Sequence, residues 1–355
     1  MPRAGQSPAQ GAVPVARGAT PTPGRLAAPE PGRPWLLLGE VRTTVLRNSV
    51  PITGSTAQEV LRLKPAGRVR LATRPIAYAR SPDLVTGVHC LLASGQRRRV
   101  ETVGTVLAGA AVLGGRVLQA SAWTAVATRD WDFRPPWSDF LATPGVVYAS
   151  AKAAPDDLAT GFLRPEPVPA GGAELDLGGA AAAVLDQVQG HPALDRGLGL
   201  RAQRTRLRFA IRVDDQDGPI RADSAIFAIH DDALRTISLT VSGRDPAPAV
   251  RLCEDVALHD WLLTTVGRVV DGARAGGTSG EELIRRSRPV VTHLLPLWMP
   301  GAHVAEELAP VWAGLDRHPG FSRQWTSLVD QIRDQLALSM IGLLSRGWEG
   351  QTDRL

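Results

Sequence analysis

Arg204, Arg206, Arg208 and Arg212 occupy even positions of a segment whose odd positions are Leu207, Phe209, Ile211 and Val213. A strand sends successive side chains to opposite faces, so the pattern predicts an apolar inner face and an outward stripe of guanidinium groups. Neighbours two apart on a strand lie about 6.6 Å from one another, a spacing that lets the stripe follow a polyanion or an acidic protein surface. Two features argue for plainer roles. The aromatic Phe209 falls on the other face, whereas single-strand binders stack bases on aromatics beside their cations. Strand arginines also pair with carboxylates or blunt a sheet edge, and the cluster Arg97-Arg98-Arg99 reads the same way in a turn.

A second group could do acid–base or metal chemistry. His230 and Asp231 stand at a strand end, followed by Asp232, and Asp255 and His259 are four apart on one helix face. A carboxylate at that spacing can orient an imidazole. If the helix starts beside the strand end, His230, Asp231, Asp255 and His259 converge on a divalent cation. The pattern lacks the two same-face imidazoles of a His-Glu-x-x-His helix. Aspartates are also ordinary turn formers, and His259 lies in an apolar stripe where a hydrogen-bonded core histidine fits.

Other chemistries find no footing in the sequence. The glycine-rich strings Gly109 to Gly115 and Gly171 to Gly179 have neither a P-loop lysine nor dinucleotide spacing. No Gly-x-Ser-x-Gly elbow occurs, and Gly277-Thr278-Ser279-Gly280-Glu281-Glu282 reads as a capped helix start. No cofactor is implied.

These residues need a scaffold, and the expected class is α+β. The first part, 35–150, predicts a mainly antiparallel sheet with one early helix: a strand after Trp35, a helix between Ser55 and Leu63 capped by Ser55 or Thr56, and strands at 68–72, 85–92, 99–107 and 116–128. Gly95 and Gly114-Gly115 mark hairpin turns. Trp131, Phe133, Trp137 and Phe140, set among prolines, are expected to fold over the edge of the core. Residues 151–178, with Pro155, Pro165, Pro167 and Pro169, read as a linker. The second domain, 179–355, opens with a helix at 180–189. A three-stranded meander follows (204–213, 224–230, 234–241), packed with C-terminal helices. Leu252, Val256, His259, Leu263, Val266 and Val270 form one helical stripe, and a last helix spans about 323–344.

Length and composition bound the rest. The 355 residues, 44% hydrophobic and 21% charged, belong to a globular chain with a sizeable core. The net charge of +5 rests almost wholly on arginine, since Lys64 and Lys152 are the only lysines. Such a bias also arises from base composition and by itself names no polyanion partner. Residues 1–34, rich in Pro, Gly and Ala, predict a disordered tail. The chain shows no signal-peptide run and no stretch of bilayer length, and Cys90 and Cys253 read as two buried thiols of a reducing compartment, so a cytoplasmic protein is expected.

Several strings, Gly39-Glu40-Val41-Arg42-Thr43, Arg134-Pro135-Pro136-Trp137-Ser138, Pro144-Gly145-Val146 and Leu258-His259-Asp260-Trp261-Leu262-Leu263-Thr264-Thr265, resemble an uncharacterised family of actinobacterial cytoplasmic proteins found beside a variant P-loop protein. The resemblance spans most of the chain after the tail and carries over no catalytic residue. It implies work beside partner proteins in a signalling or defence assembly. The expected function is therefore a non-enzymatic interaction or scaffold component with a protein partner, or a polyanion, on the arginine stripe. The alternative is a metal-dependent hydrolase or nuclease acting on a phosphate-bearing substrate. Trp261, Trp298, Trp312, Trp325 and Trp348 crowd the C-terminal half and could serve a core or a hot spot.

Overall fold

A computed structural model describes residues 13–14, 32–96, 98–129, 135–150, 154–165, 173–197, 200, 202–214, 218–243, 245–275 and 280–352. The strands are β1 (Val13–Pro14), β2 (Pro34–Val45), β3 (Arg70–Ala72), β4 (Tyr78–Arg80), β5 (Leu84–Ala93), β6 (Arg99–Leu113), β7 (Val117–Thr128), β8 (Val146–Ala149), β9 (Thr205–Val213), β10 (Arg221–Ile229) and β11 (Leu234–Ser242). All eleven belong to one sheet of order β1-β10-β11-β9-β2-β7-β8-β6-β4-β3, with β5 on β6 and β6 also meeting β7. The pairings are antiparallel except β9 with β11 and β7 with β8.

Trp35 to Val41 are apolar in almost every position, and nearly all of β2 is buried on both faces, as a central strand requires. It pairs with β7 on one side and β9 on the other. That pairing corrects the expected division at residues 151–178: the sheet runs straight through both proposed domains. Gly39 of β2 makes the junction possible, because the Phe209 ring lies where a Cβ would stand, 2.0 Å from it. The β6–β7 hairpin closes on Gly114 and Gly115, with φ of +56° and +64° and Arg116 N–H bonded to the Leu113 carbonyl, a type I′ turn.

The expected meander is also corrected. Its three strands form, but β9 lies parallel to β11, and β10 occupies the far side of β11. Burial supplies the reason. Phe209 and Ile211 fill the interior best when β9 sits between β2 and β11, where both are fully buried, and the half-exposed β10 is left toward the rim.

Helices cover the sheet unequally. One face carries α1 (Gly54–Val60), α3 (Pro155–Phe162) and α4 (Leu177–Gln189); the other carries α5 (Ala247–Ala275), with α6 (Gly280–His293), α7 (Ala309–Arg317) and α8 (Phe321–Thr352) beyond it. The short α2 (Trp137–Ala142) precedes β8. The predicted stripe on α5 is the one that docks: Leu252, Val256, His259, Val266 and Val270 are all buried. Thr53, rather than Ser55 or Thr56, caps α1, and α3 stands where only linker is expected. Phe140 is buried, whereas Trp137 stays part-exposed over Gly87. Cys253 is buried, but Cys90 on β5 is only partly covered. Trp131, Phe133, Arg97, Ser279 and most of the tail lie outside the described residues.

No helix among the described residues is long and apolar enough to cross a membrane.

Candidate functional site

Alternation along β9 works as the sequence demands. Leu207, Phe209, Ile211 and Val213 point into the core beneath α5, and Arg206, Arg208 and Arg212 point to the opposite face, half-buried. The cross-strand register then decides what each guanidinium meets. Arg208 lies opposite Glu40 of β2, and Arg206 opposite Arg42. Glu40, 1% exposed, accepts from Arg42 Nε at 2.9 Å and from Arg208 Nε at 3.0 Å, while Arg208 also donates to the Arg164 carbonyl at 2.8 Å. A buried carboxylate must be paired, so Arg208 is an internal tie. Arg212 pairs with Asp156 of α3 and, at 3.2 Å, with Asp214; Arg204 meets Asp186 of α4 at 3.5 Å. Among the described residues Arg206 makes no such pair, and Asp231 is the acid whose charge feels it.

Past β9 the same face turns hydroxylic. Thr236, Ser238 and Thr240 of β11 stand in register with Arg208, Ala210 and Arg212, and Ala228, Ile226 and Ser224 of β10 follow them outward. Ile226 is 46% exposed there. The uncovered area is thus a polar sheet surface that carries Arg206, unmatched among the described residues, level with Leu234 at the β10–β11 turn, and the exposed aliphatic Ile226 opposite Ser238, farther along the strands.

His230 belongs to this face. Its Nε2 lies 2.8 Å from Thr236 Oγ1, and burial, with Arg208 as a like charge, lowers its pKa against the pull of Asp231. Asp231 accepts from the Ala233 and Leu234 amides at 2.6 and 2.7 Å, which shapes the β10–β11 turn and holds its carboxyl below the usual range.

Asp255 and His259 lie on α5, across the sheet. His259 Nδ1 donates to the Asp255 carbonyl at 2.7 Å, and Nε2 accepts the Met299 amide at 3.2 Å, so both ring nitrogens are committed in the neutral tautomer. Trp298 and Trp312 enclose the ring edge-on at 5.0 and 5.2 Å, and burial lowers its pKa to about 4. Asp255 Oδ2 accepts the Gly301 amide at 2.8 Å, and burial raises this carboxyl to about 7. The structure therefore corrects the four-residue metal site. The two pairs serve opposite faces of the sheet, and the described residues contain no His, Cys, Asp or Glu group able to hold a metal ion.

Two further polar ties under α5 escape sequence reasoning. Glu254 accepts from Arg80 Nη1 at 2.5 Å and from Ser121 Oγ at 2.6 Å, and Gln119 Nε2 donates to the Glu254 carbonyl at 2.9 Å. Burial alone would raise the Glu254 carboxyl, yet the Arg80 charge and the hydrogen bonds from Arg80 and Ser121 bring it below its usual value. Asp260 Oδ2 meets Arg235 Nε at 2.7 Å, and burial lifts Asp260 to about 6 against that pull. The run Glu254-Asp255 with His259-Asp260 inside an apolar helix announces that partners are needed. Arg80 lies 174 residues away in sequence, so only the fold identifies it.

No family model, curated protein or solved structure matches the chain.

Proposed function

We propose that this protein is a non-enzymatic docking component of a cytoplasmic signalling or defence assembly, and that its uncovered β9–β11–β10 face receives an acidic segment of a protein partner. One observation carries the reading: after Arg204, Arg208 and Arg212 are matched to carboxylates, Arg206 alone of the stripe has no carboxylate partner among the described residues, at the β10–β11 turn end of an open face whose Ser238–Thr240 hydroxyls and exposed Ile226 lie farther along the strands. Such a mixture suits a protein surface, where an aliphatic anchor and a charged group act together. It suits a phosphate chain poorly, because internal pairing has used most of the stripe's charge. The metal-dependent hydrolase reading has less support, since the four residues named for it occupy opposite sides of the sheet.

The test is a capture experiment from native extract with wild type and an Arg206→Gln/Ile226→Asp bait, each washed at low and high salt. A protein retained by wild type, lost from the variant and released by salt is expected. Identical recovery on both baits, or recovery of nucleic acid alone, overturns the reading.

A further inference from the structure

A cleft of about 560 Å³ opens on the α5 side, between α5, the first turns of α8 and the end of the β10–β11 hairpin. Its volume lies within the range of small-molecule sites, about 300–1,000 Å³. The wall is apolar: Ile229, Leu263, Phe321 and Leu328 line it, and Ile229 is 52% exposed. The floor is the buried Arg235–Asp260 pair. Arg235 is held there by its ion pair with Asp260, by the Asp231 carbonyl and, at 2.9 Å, by Thr264 Oγ1. Its charge is matched by Asp260, so the floor is neutral. At the mouth, Arg323 is exposed and has no ion pair among the described residues; its guanidinium rests over Gly320, 2.6 Å from where a Cβ would stand. The lining is thus left with one positive charge at the rim, apolar walls below it and a carboxyl acceptor at the base.

We propose that this cleft binds a small amphiphilic organic anion, with its anionic group at Arg323, its apolar body against Leu263, Phe321 and Leu328, and an N–H or O–H donor directed to Asp260. The site is separate from the β9–β11–β10 face and does not depend on its role. A ligand of this class satisfies all three surfaces at once: it covers Ile229, matches the free guanidinium in a charge-assisted contact, and gives Asp260 a donor in addition to Arg235.

Gly267 supplies a clean way to block the cleft. It lies on α5 in the lining, and a Cβ added there meets only Leu328 Cδ2, at 3.9 Å. Leucine at this position fills the cleft and is also the better helix former, so the fold is retained. The experiment is a fluorescence titration of the full chain with anilinonaphthalene sulfonate, an anion with an N–H and a fused aromatic body, in parallel with its uncharged analogue N-phenylnaphthylamine. Saturable binding of the anion is expected. Arg323→Gln should weaken the anion about tenfold and leave the neutral dye unchanged. Gly267→Leu should abolish saturable binding of both. A Leu338→Lys/Ile341→Lys variant, altering exposed apolar residues farther along α8, should bind as wild type does. Absence of saturable binding, undiminished binding by Gly267→Leu, loss of binding in the Leu338→Lys/Ile341→Lys variant, or indifference of the anion to Arg323→Gln overturns the proposal.

Discussion

The two faces of the sheet use arginine in opposite ways. Beneath α5, Arg80 and Arg235 are 7% and 5% exposed, and each is locked to a carboxylate of that one helix. On the other face Arg204 and Arg212 pair with acids of α4 and α3 while partly in water, and Arg206 stands without a pair among the described residues. Arg208 is intermediate, being held by the buried Glu40. The difference follows from cover. A helix laid across a sheet removes water from whatever polar group it meets, and a dehydrated charge must find its counterion within the fold. Where no helix lies, the same residue keeps its hydration and is available to something outside.

The sharpest way to break this contrast is Glu254→Ala, which strands Arg80 without water. A loss of about 3–5 kcal/mol in denaturant-unfolding stability is expected; a loss no larger than that of a surface substitution would show that the α5 face is wetter than its burial implies.

Titration gives the next effect. Asp255, at about 7 in the fold, keeps its proton over a range where the unfolded chain has lost it, so it contributes stability at low pH that disappears as pH rises toward neutrality. His259, at about 4, acts oppositely between about 4 and its unfolded value, since there the unfolded chain binds the proton. Asp255→Asn removes the first contribution and leaves the second. The stability of wild type relative to this variant should therefore fall by about 3 kcal/mol between roughly pH 4.5 and pH 7. Parallel pH profiles measured by thermal unfolding would contradict the dehydrated environment assigned to Asp255.

Arg208→Met tests the intermediate case. Glu40 keeps Arg42 at 2.9 Å, so the cost should be about 1–2 kcal/mol, clearly below that of Glu254→Ala. Equal costs in matched denaturant titrations would erase the distinction between partial and full cover. Smallest of all is Arg206→Gln, expected within about 0.5 kcal/mol of wild type. A larger destabilisation would mean that Arg206 has an internal role and that the open face lacks its free cation.

Much of the scaffold was legible in the sequence. Period-two alternation located β9 and told which of its residues go inward, and the stepping of Leu252, Val256, His259 and Val266 located α5 and its docking side. His259 also had a readable alternative, a core histidine in an apolar stripe, and its hydrogen bonds to Asp255 and Met299 take that form. The order of strands was not legible. Nothing local in 204–241 distinguishes a meander from β9 lying parallel to β11, because both place the same side chains inward. Likewise Pro155 suggests a linker, although proline at the first turn starts α3 equally well.

From the sequence alone follow the type of most elements and the face each residue takes, since these depend on neighbours two to four positions away and on the backbone's own period. Tertiary structure alone decided that β2 joins two apparent domains, that Arg80 answers Glu254 and Arg235 answers Asp260, and that Arg206 is left over. Those outcomes are set by which distant surfaces exclude water from one another, a property of the packed whole that no single segment carries.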